Sequence, residues 1–360
     1  MGTKIIFFII SFFLLIGGVD YILGNKLKLG EQFKKGIETS GSLALNMIGI
    51  YLLAPLLADS LLALILPITR VFDIDPSIIP ATCLATDMGG FQLANSLAKT
   101  SDMANFSGIL LASNLGATLS FSIPVALGMI KKEDMPSFLQ GLVIGIMTLP
   151  VGSFIGGIVQ GIQIGELIKN CIPLLILSIL LAYFTICHTK GIIRFFEFFS
   201  KFIVAISIFG LIVVGLEVVL GVNILPHYIP PLSEAAEVVI RIGLFLAGAY
   251  PMLKVLELIV GKYCAPLAKK LKVNEATITG MIGSLASNLL TFAEIEHMNT
   301  KGKVLASAFA ISGAFVFGGQ LAFVSTMSGE MVIPFIVSKG VSACLAVAIV
   351  QLTYREEKED

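Results

Sequence analysis

Gly49-Ile50-Tyr51-Leu52-Leu53-Ala54-Pro55 returns, two residues longer, as Gly243-Leu244-Phe245-Leu246-Ala247-Gly248-Ala249-Tyr250-Pro251. Outward from this echo, Pro67–Ala81 pairs with Pro266–Gly280 and Gly116-Ala117 with Gly313-Ala314, so two halves of the chain run in register with small insertions. Both copies lie in apolar runs. Duplicated apolar halves are the build of many secondary transporters, which hold a solute near the bilayer midplane where interrupted helices of both halves meet. Carriage across a membrane is therefore the leading expectation.

Composition points the same way. The 360 residues are 56% hydrophobic and 13% charged, and a soluble domain has no means of burying so much apolar surface. A formal net charge of zero argues against a nucleic-acid partner and against a polybasic lipid-binding tail. Cys83, Cys171, Cys187, Cys264 and Cys344 are scattered with no Cys-x-x-Cys spacing and read as small buried hydrophobes. His188, His227 and His297 fall in polar connections without metal-ligand spacing. Neither a metal nor a cofactor is expected.

A span needs about 20 mostly apolar residues. That rule places full crossings near residues 4–23, 42–66, 105–130, 136–162, 168–187, 195–221, 236–260, 304–327 and 332–353. The first is read as a retained span, since no small-x-small cleavage pattern follows it. Two further apolar segments, 77–98 and 276–295, are broken in their middles by Thr86-Asp87-Met88-Gly89-Gly90 and by Gly283-Ser284-Leu285-Ala286-Ser287-Asn288. Each is either a full crossing or a re-entrant hairpin.

Charge decides between these. If both segments are hairpins, one side collects seventeen basic residues, in the connections near 26–35, 131–132, 190–201, 262–272, 301–303 and 355–358, against Lys4, Arg70, Lys99 and Lys169 on the other. The positive-inside rule favours that division over an even one. The expected fold is an all-α polytopic membrane protein of two inverted repeats, with about nine transmembrane helices, two re-entrant hairpins, an outer N-terminus and a cytoplasmic C-terminus. The first repeat covers 1–163, a linking helix 164–190, the second repeat 191–353 and a short charged cytoplasmic tail 354–360.

Asp87 is the foremost site candidate, because an ionisable group at mid-depth is costly and usually functional. Its alternative role is to cap the second arm of its hairpin by accepting N–H groups freed at the turn. Gly89 and Gly90 leave backbone open to a small ligand. Phe91 and Asn95 lie on the helical stripe of Asp87, beside Gln92. An anion, an aromatic face and an amide together suit a small ammonium-bearing solute, although Phe91 alone reads as packing and the amides as interhelical glue. Ser284, Ser287, Asn288 and Thr291 supply neutral hydrogen-bonding groups in the second hairpin, and Asn114 and Gln320 are mid-span amides at related places. Lys339, deep in the last span, and Asp59 are candidates for a coupling or structural charge. Asp20, Glu217 and Glu257 lie near span ends and require no special role. Gly152-x-x-x-Gly156 and Gly157-x-x-x-Gly161 permit close helix packing and leave homo-oligomerisation open.

Several of these stretches resemble one family. Ala85-Thr86-Asp87-Met88-Gly89-Gly90-Phe91, Phe121-Ser122-Ile123-Pro124-Val125-Ala126-Leu127-Gly128, Thr300-Lys301-Gly302-Lys303-Val304 and Ala314-Phe315-Val316-Phe317-Gly318 are similar to the ethanolamine transporter family encoded with ethanolamine-utilisation enzymes, EutH. Thr86 stands where the family run has cysteine, Ser287 where it has the first of paired asparagines, and Gly319-Gln320 where many members carry aspartate-histidine; Lys339 agrees with the family's last span. The resemblance implies a non-enzymatic carrier in the plasma membrane. It would import ethanolamine as the ammonium form, by alternating access or facilitated diffusion, for a cytosolic cobalamin-dependent ammonia-lyase. Asp87 would be the counter-ion, Phe91 an aromatic contact, and Asn288, Ser287 or Gln320 the hydroxyl partner. Other readings stay open: a carrier of a nucleoside or amino acid on a similar hairpin fold, and, more remotely, an intramembrane lipid-headgroup enzyme, which no His-Glu-x-x-His or Gly-x-Ser-x-Gly motif supports.

Overall fold

The computed structural model describes residues 2–222, 224 and 230–354, so His227 and the tail beyond Tyr354 lie outside the described residues. Helix is the only regular structure among them. Eight of the helices are long and apolar enough to cross a bilayer. The chain is an all-α, multi-pass membrane protein.

Helix α1 (Gly2–Ile22) turns into α2 (Gly30–Phe72) through a connection organised by Asp20. The Asp20 carboxylate accepts the backbone N–H groups of Leu27, Leu29 and Gly30 at 2.8–2.9 Å. Such donors are orphaned around a helix start, so Asp20 has a capping role that its position near a span end did not disclose. Two short helices follow, α3 (Ile78–Cys83) and α4 (Phe91–Leu97), parted by an irregular turn in which Met88 leaves helical geometry and Gly89 has φ +89°. The two ends of this first hairpin are tied together, since Asp75 accepts the N–H of Lys99 at 3.0 Å.

Next, α5 (Ser101–Asn105) leads into a rod wound with i→i+5 hydrogen bonds over Phe106–Gly116 and Thr118–Ser122, which finishes as α6 (Ile123–Met129). Every residue of Phe106–Gly116 is buried; most are apolar or small, and Ser107, Ser113 and Asn114 are buried with hydrogen-bond partners. The next helices are α7 (Met135–Gln160), α8 (Ile164–Cys187), α9 (Thr189–Leu220) and α10 (Leu232–Leu271). The glycine that opens the sequence echo sits where α9 crosses α2. A Cβ on Gly49 would lie 1.8 Å from the Ser207 carbonyl oxygen, and one on Gly210 would lie 2.5 Å from that of Gly49. Backbones that close leave no room for a side chain. On their outward faces α1, α8 and α9 expose Phe8, Leu15, Ile172, Ile179, Phe198 and Phe209, as a hydrocarbon surrounding requires.

The second hairpin pairs α11 (Glu275–Ser284) with α12 (Asn288–Glu294). Thr291 Oγ1 donates to the Gly280 carbonyl at 2.7 Å, and at the base Asn274 Nδ2 donates to the His297 carbonyl at 2.6 Å. The span expected over 304–327 is two helices, α13 (Thr300–Gly313) and α14 (Gly319–Met327), with Ala314 extended between them. Its interruption is a seam against the second hairpin: the Phe315 N–H donates to the Ser284 carbonyl at 3.0 Å and the Phe317 N–H to the Leu285 carbonyl at 2.8 Å. Helix α15 (Val332–Thr353) follows.

Positions 199 residues apart behave alike. Pro67 and Pro266 lie inside α2 and α10, and Asp73 and Lys272 end those helices in the left-handed conformation at φ +51° and +56°. Asp75 and Asn274 each tie the two ends of a hairpin. The cysteines divide: Cys171 and Cys264 are buried as expected, Cys83 is partly buried, and Cys187 and Cys344 are exposed. An apolar thiol suits a helix face turned to hydrocarbon as well as a core.

Candidate functional site

The tip of the first hairpin is anchored to the central rod. Thr86 Oγ1 donates to the Gly108 carbonyl at 2.8 Å and the Ala85 N–H donates to Ser120 Oγ at 3.0 Å. Asp87, between these anchors and the Gly89 turn, is partly exposed and lines a cavity of about 680 Å³. The walls come from α2, the first tip, the rod, α10, the second hairpin and the start of α14. Lys35 and Glu294, both exposed, mark the mouth, with Lys254 and Glu257 paired beside them at 3.0 Å. Asp87, Phe121, Ser287 and Phe315, all half-buried, and the buried Gln320 line the same cavity. Gln320 is only 3% exposed and its Oε1 has no hydrogen-bond partner among the described residues; a buried acceptor in that condition is ready for a donor from a ligand.

Of the residues singled out in the sequence, the structure brings Asp87, Ser287 and Gln320 to this cavity and distributes the rest elsewhere. Gly89 and Gly90 do not open backbone to a ligand. A Cβ on Gly89 would meet the Ile50 side chain at 2.8 Å, and one on Gly90 the Leu84 carbonyl at 2.4 Å. Phe91 is buried edge-on against Phe323, with centroids 5.7 Å apart. Asn95 is exposed, while the polar atoms of Gln92 are buried without partners among the described residues. Asn114 donates to Ser153 Oγ and Ser338 Oγ, tying the rod to α7 and α15. Ser284 and Thr291 bond to carbonyls within the second hairpin, and Asn288 Nδ2 donates to Ser122 Oγ at 2.7 Å. Asp59 is exposed on α2. Lys339 does not snorkel: it is 2% exposed and donates to the Ser113 carbonyl at 2.5 Å. Tyr250, Phe121 and Phe315 line the cavity without having been singled out. For Phe315 the available signal was its place within the family-like run Ala314–Gly318, which says nothing of geometry.

On the mouth side, the base of the second hairpin is tied to the α6–α7 connection. Lys131 pairs with Glu296, and Lys303 at the start of α13 pairs with Asp134. The Lys131 ammonium holds the Glu296 carboxyl below the usual glutamate range, and Glu296 in turn raises Lys131. At the opposite end, Lys169 lowers Asp73 in the same way. Among the described residues no three His, Cys, Asp or Glu side chains stand together as a metal site needs.

The sequence profile of a family described as "Ethanolamine utilisation protein, EutH" matches residues 3–352. The chain belongs to that family. Within the EutH match lie both hairpins, the rod, the α13–α14 seam and every residue lining the cavity. The probable ethanolamine permease EutH of Listeria monocytogenes is 39% identical over 96% of this chain and 93% of its own length. The corresponding protein of Salmonella typhimurium is 35% identical over 97% of this chain and 95% of its own. An uncharacterised protein of Bacillus subtilis, YxeR, is 39% identical over 95% of this chain and 93% of its own. No solved structure matches.

Proposed function

We propose that this EutH-family protein is a non-enzymatic carrier of ethanolamine, taken in its ammonium form, with Asp87 as the counter-ion. The observation that carries the reading is the position of Asp87: a half-buried carboxylate on a hairpin tip, lining a cavity beside neighbours that are themselves anchored to a buried rod. An ionisable group inside a membrane protein is retained at a cost, and lining a solute path is the commonest reason. Gln320 and Ser287 stand in the same cavity for the hydroxyl of a two-carbon amino alcohol. The permease names of relatives aligned over almost the whole chain agree with this substrate.

Movement is by alternating access. The correspondence of Asp73 with Lys272 and of Asp75 with Asn274 supports two related halves, and inverted halves exchange roles to open a site to one side and then the other. The cavity mouth lies with the second-hairpin base, on the lysine-rich side, which we assign to the cytoplasm by the positive-inside rule. Ethanolamine is small beside 680 Å³, so most of this space is a vestibule on the way to the site.

The test is uptake of radiolabelled ethanolamine into proteoliposomes at acidic external pH, comparing the unsubstituted chain with Asp87→Asn. Saturable uptake that the variant loses while staying folded and inserted is the expected result. Uptake no faster than empty liposomes for both proteins refutes ethanolamine as the solute, and direct uptake of labelled nucleosides or amino acids then tests a larger occupant. Saturable uptake by both reduces Asp87 to a hairpin cap.

A further inference from the structure

Phe315 has φ +66°, a conformation that costs a bulky residue energy and persists only where the surroundings enforce it. The other non-glycine residues with positive φ among those described, Asn25, Lys28, Asp73 and Lys272, are in connections or at helix ends. Phe315 is instead inside the seam between α13 and α14, and the seam fixes it from both sides. Its own N–H is bonded to Ser284, that of Phe317 to Leu285, and Gly318 lies so close to the second tip that a Cβ there would come 1.9 Å from the Ala286 carbonyl.

The strained backbone delivers the Phe315 ring to the cavity wall, where it meets Phe121 edge to face, centroids 5.8 Å apart and planes at 73°. Phe121 comes from the rod and Phe315 from the second half, and both share the cavity with Asp87. Phe91, the aromatic next to Asp87 in sequence, is spent on Phe323. A ring face within about 6 Å attracts an ammonium, most strongly where water is excluded. We propose that Phe121 and Phe315 form the aromatic wall of the ammonium site opposite Asp87, and that they determine its preference for a cationic amine. This rests on the carrier reading above and deepens it.

The test measures ethanolamine uptake by the unsubstituted chain, Phe315→Leu, Phe121→Leu and Phe315→Trp in proteoliposomes. The leucine variants should raise KM about tenfold or more, with maximal velocity within about twofold, whereas a purely packing role would lower the amount of folded protein and leave KM alone. The chain has no tryptophan, so Phe315→Trp should transport and should report ethanolamine by a saturable change in its emission. Unchanged KM in both leucine variants beside saturable uptake by the unsubstituted chain overturns the aromatic wall and leaves the carrier reading intact. No saturable uptake by the unsubstituted chain overturns both. If the leucine variants do not fold, tryptophan emission indifferent to saturating ethanolamine overturns the wall.

Discussion

Asn114 is fully buried in the central rod and donates from one amide nitrogen to Ser153 on α7 at 2.8 Å and to Ser338 on α15 at 2.9 Å. Its Oδ1 has no partner among the described residues, so a ligand contact and a structural knot make different demands on it. Replacing it by alanine removes two interhelical hydrogen bonds, worth about 0.6 kcal/mol each inside a bilayer. It also leaves a void of roughly 40 Å³ in a closed site, which at about 24 cal/mol per Å³ adds roughly 1 kcal/mol. The expected loss is therefore about 2 kcal/mol of unfolding free energy, read by denaturant titration in micelles. Ethanolamine KM should stay within about twofold, since Asn114 is absent from the cavity wall. Ser338→Ala combined with Asn114→Ala should fall short of additivity by about 0.6 kcal/mol, the share of the lost pair. A KM raised tenfold at undiminished stability would refute the knot and return Asn114 to the substrate.

Gly49→Ala should destabilise by about 2–3 kcal/mol or prevent folding, because its methyl group would stand 1.8 Å from the Ser207 carbonyl and neither backbone can yield without parting α2 from α9. Gly41→Ala, on the same helix with nothing within 4 Å of a Cβ, should instead stabilise by roughly 0.5–1 kcal/mol, and equal behaviour of the two would disprove the close crossing. The Lys131–Glu296 pair confers a pH window on the second-hairpin base. Glu296 is lowered by Lys131, so its contribution is complete above the ordinary value of 4.5 and vanishes as pH falls through its depressed value in the fold. Lys131 is raised, so its contribution is complete below 10.5 and is lost as pH climbs through its elevated value. Amide protection factors in Glu275–Gly283, taken relative to the intrinsic exchange rate at each pH, should fall as Glu296 is protonated and in Glu296→Gln at neutral pH; protection unchanged in both would show that the pair does not hold the base.

The parts of this fold that follow from periodicity and length were legible in the chain. Apolar runs near residues 4–23, 136–162 and 332–353 became single helices because hydropathy and length are properties each segment carries by itself. The α13–α14 interruption was not legible. Nothing between Gly313 and Gly319 lacks apolar character, and the helix breaks there because the second-hairpin tip offers the Ser284 and Leu285 carbonyls as alternative partners. Tertiary hydrogen bonding overrode local preference, and a partner some thirty residues distant leaves no mark on a hydropathy window.

The same reasoning explains why Asp87 could be singled out in the chain and the rings that line its cavity could not. A carboxylate in an apolar run is anomalous in any surroundings, so one residue suffices to mark it. A phenylalanine is ordinary there, and helical spacing from Asp87 selects Phe91, yet the Gly89 turn rotates that arm so that Phe91 packs on Phe323. The rings that line the cavity with Asp87 come from residues 121 and 315, brought together by the rod and the seam. Proximity in sequence therefore identifies residues of the same tip as Asp87, whereas the other residues lining its cavity belong to other elements. A carrier that opens its site alternately needs that division, because a solute caged wholly by one tip could not be released by moving the halves apart.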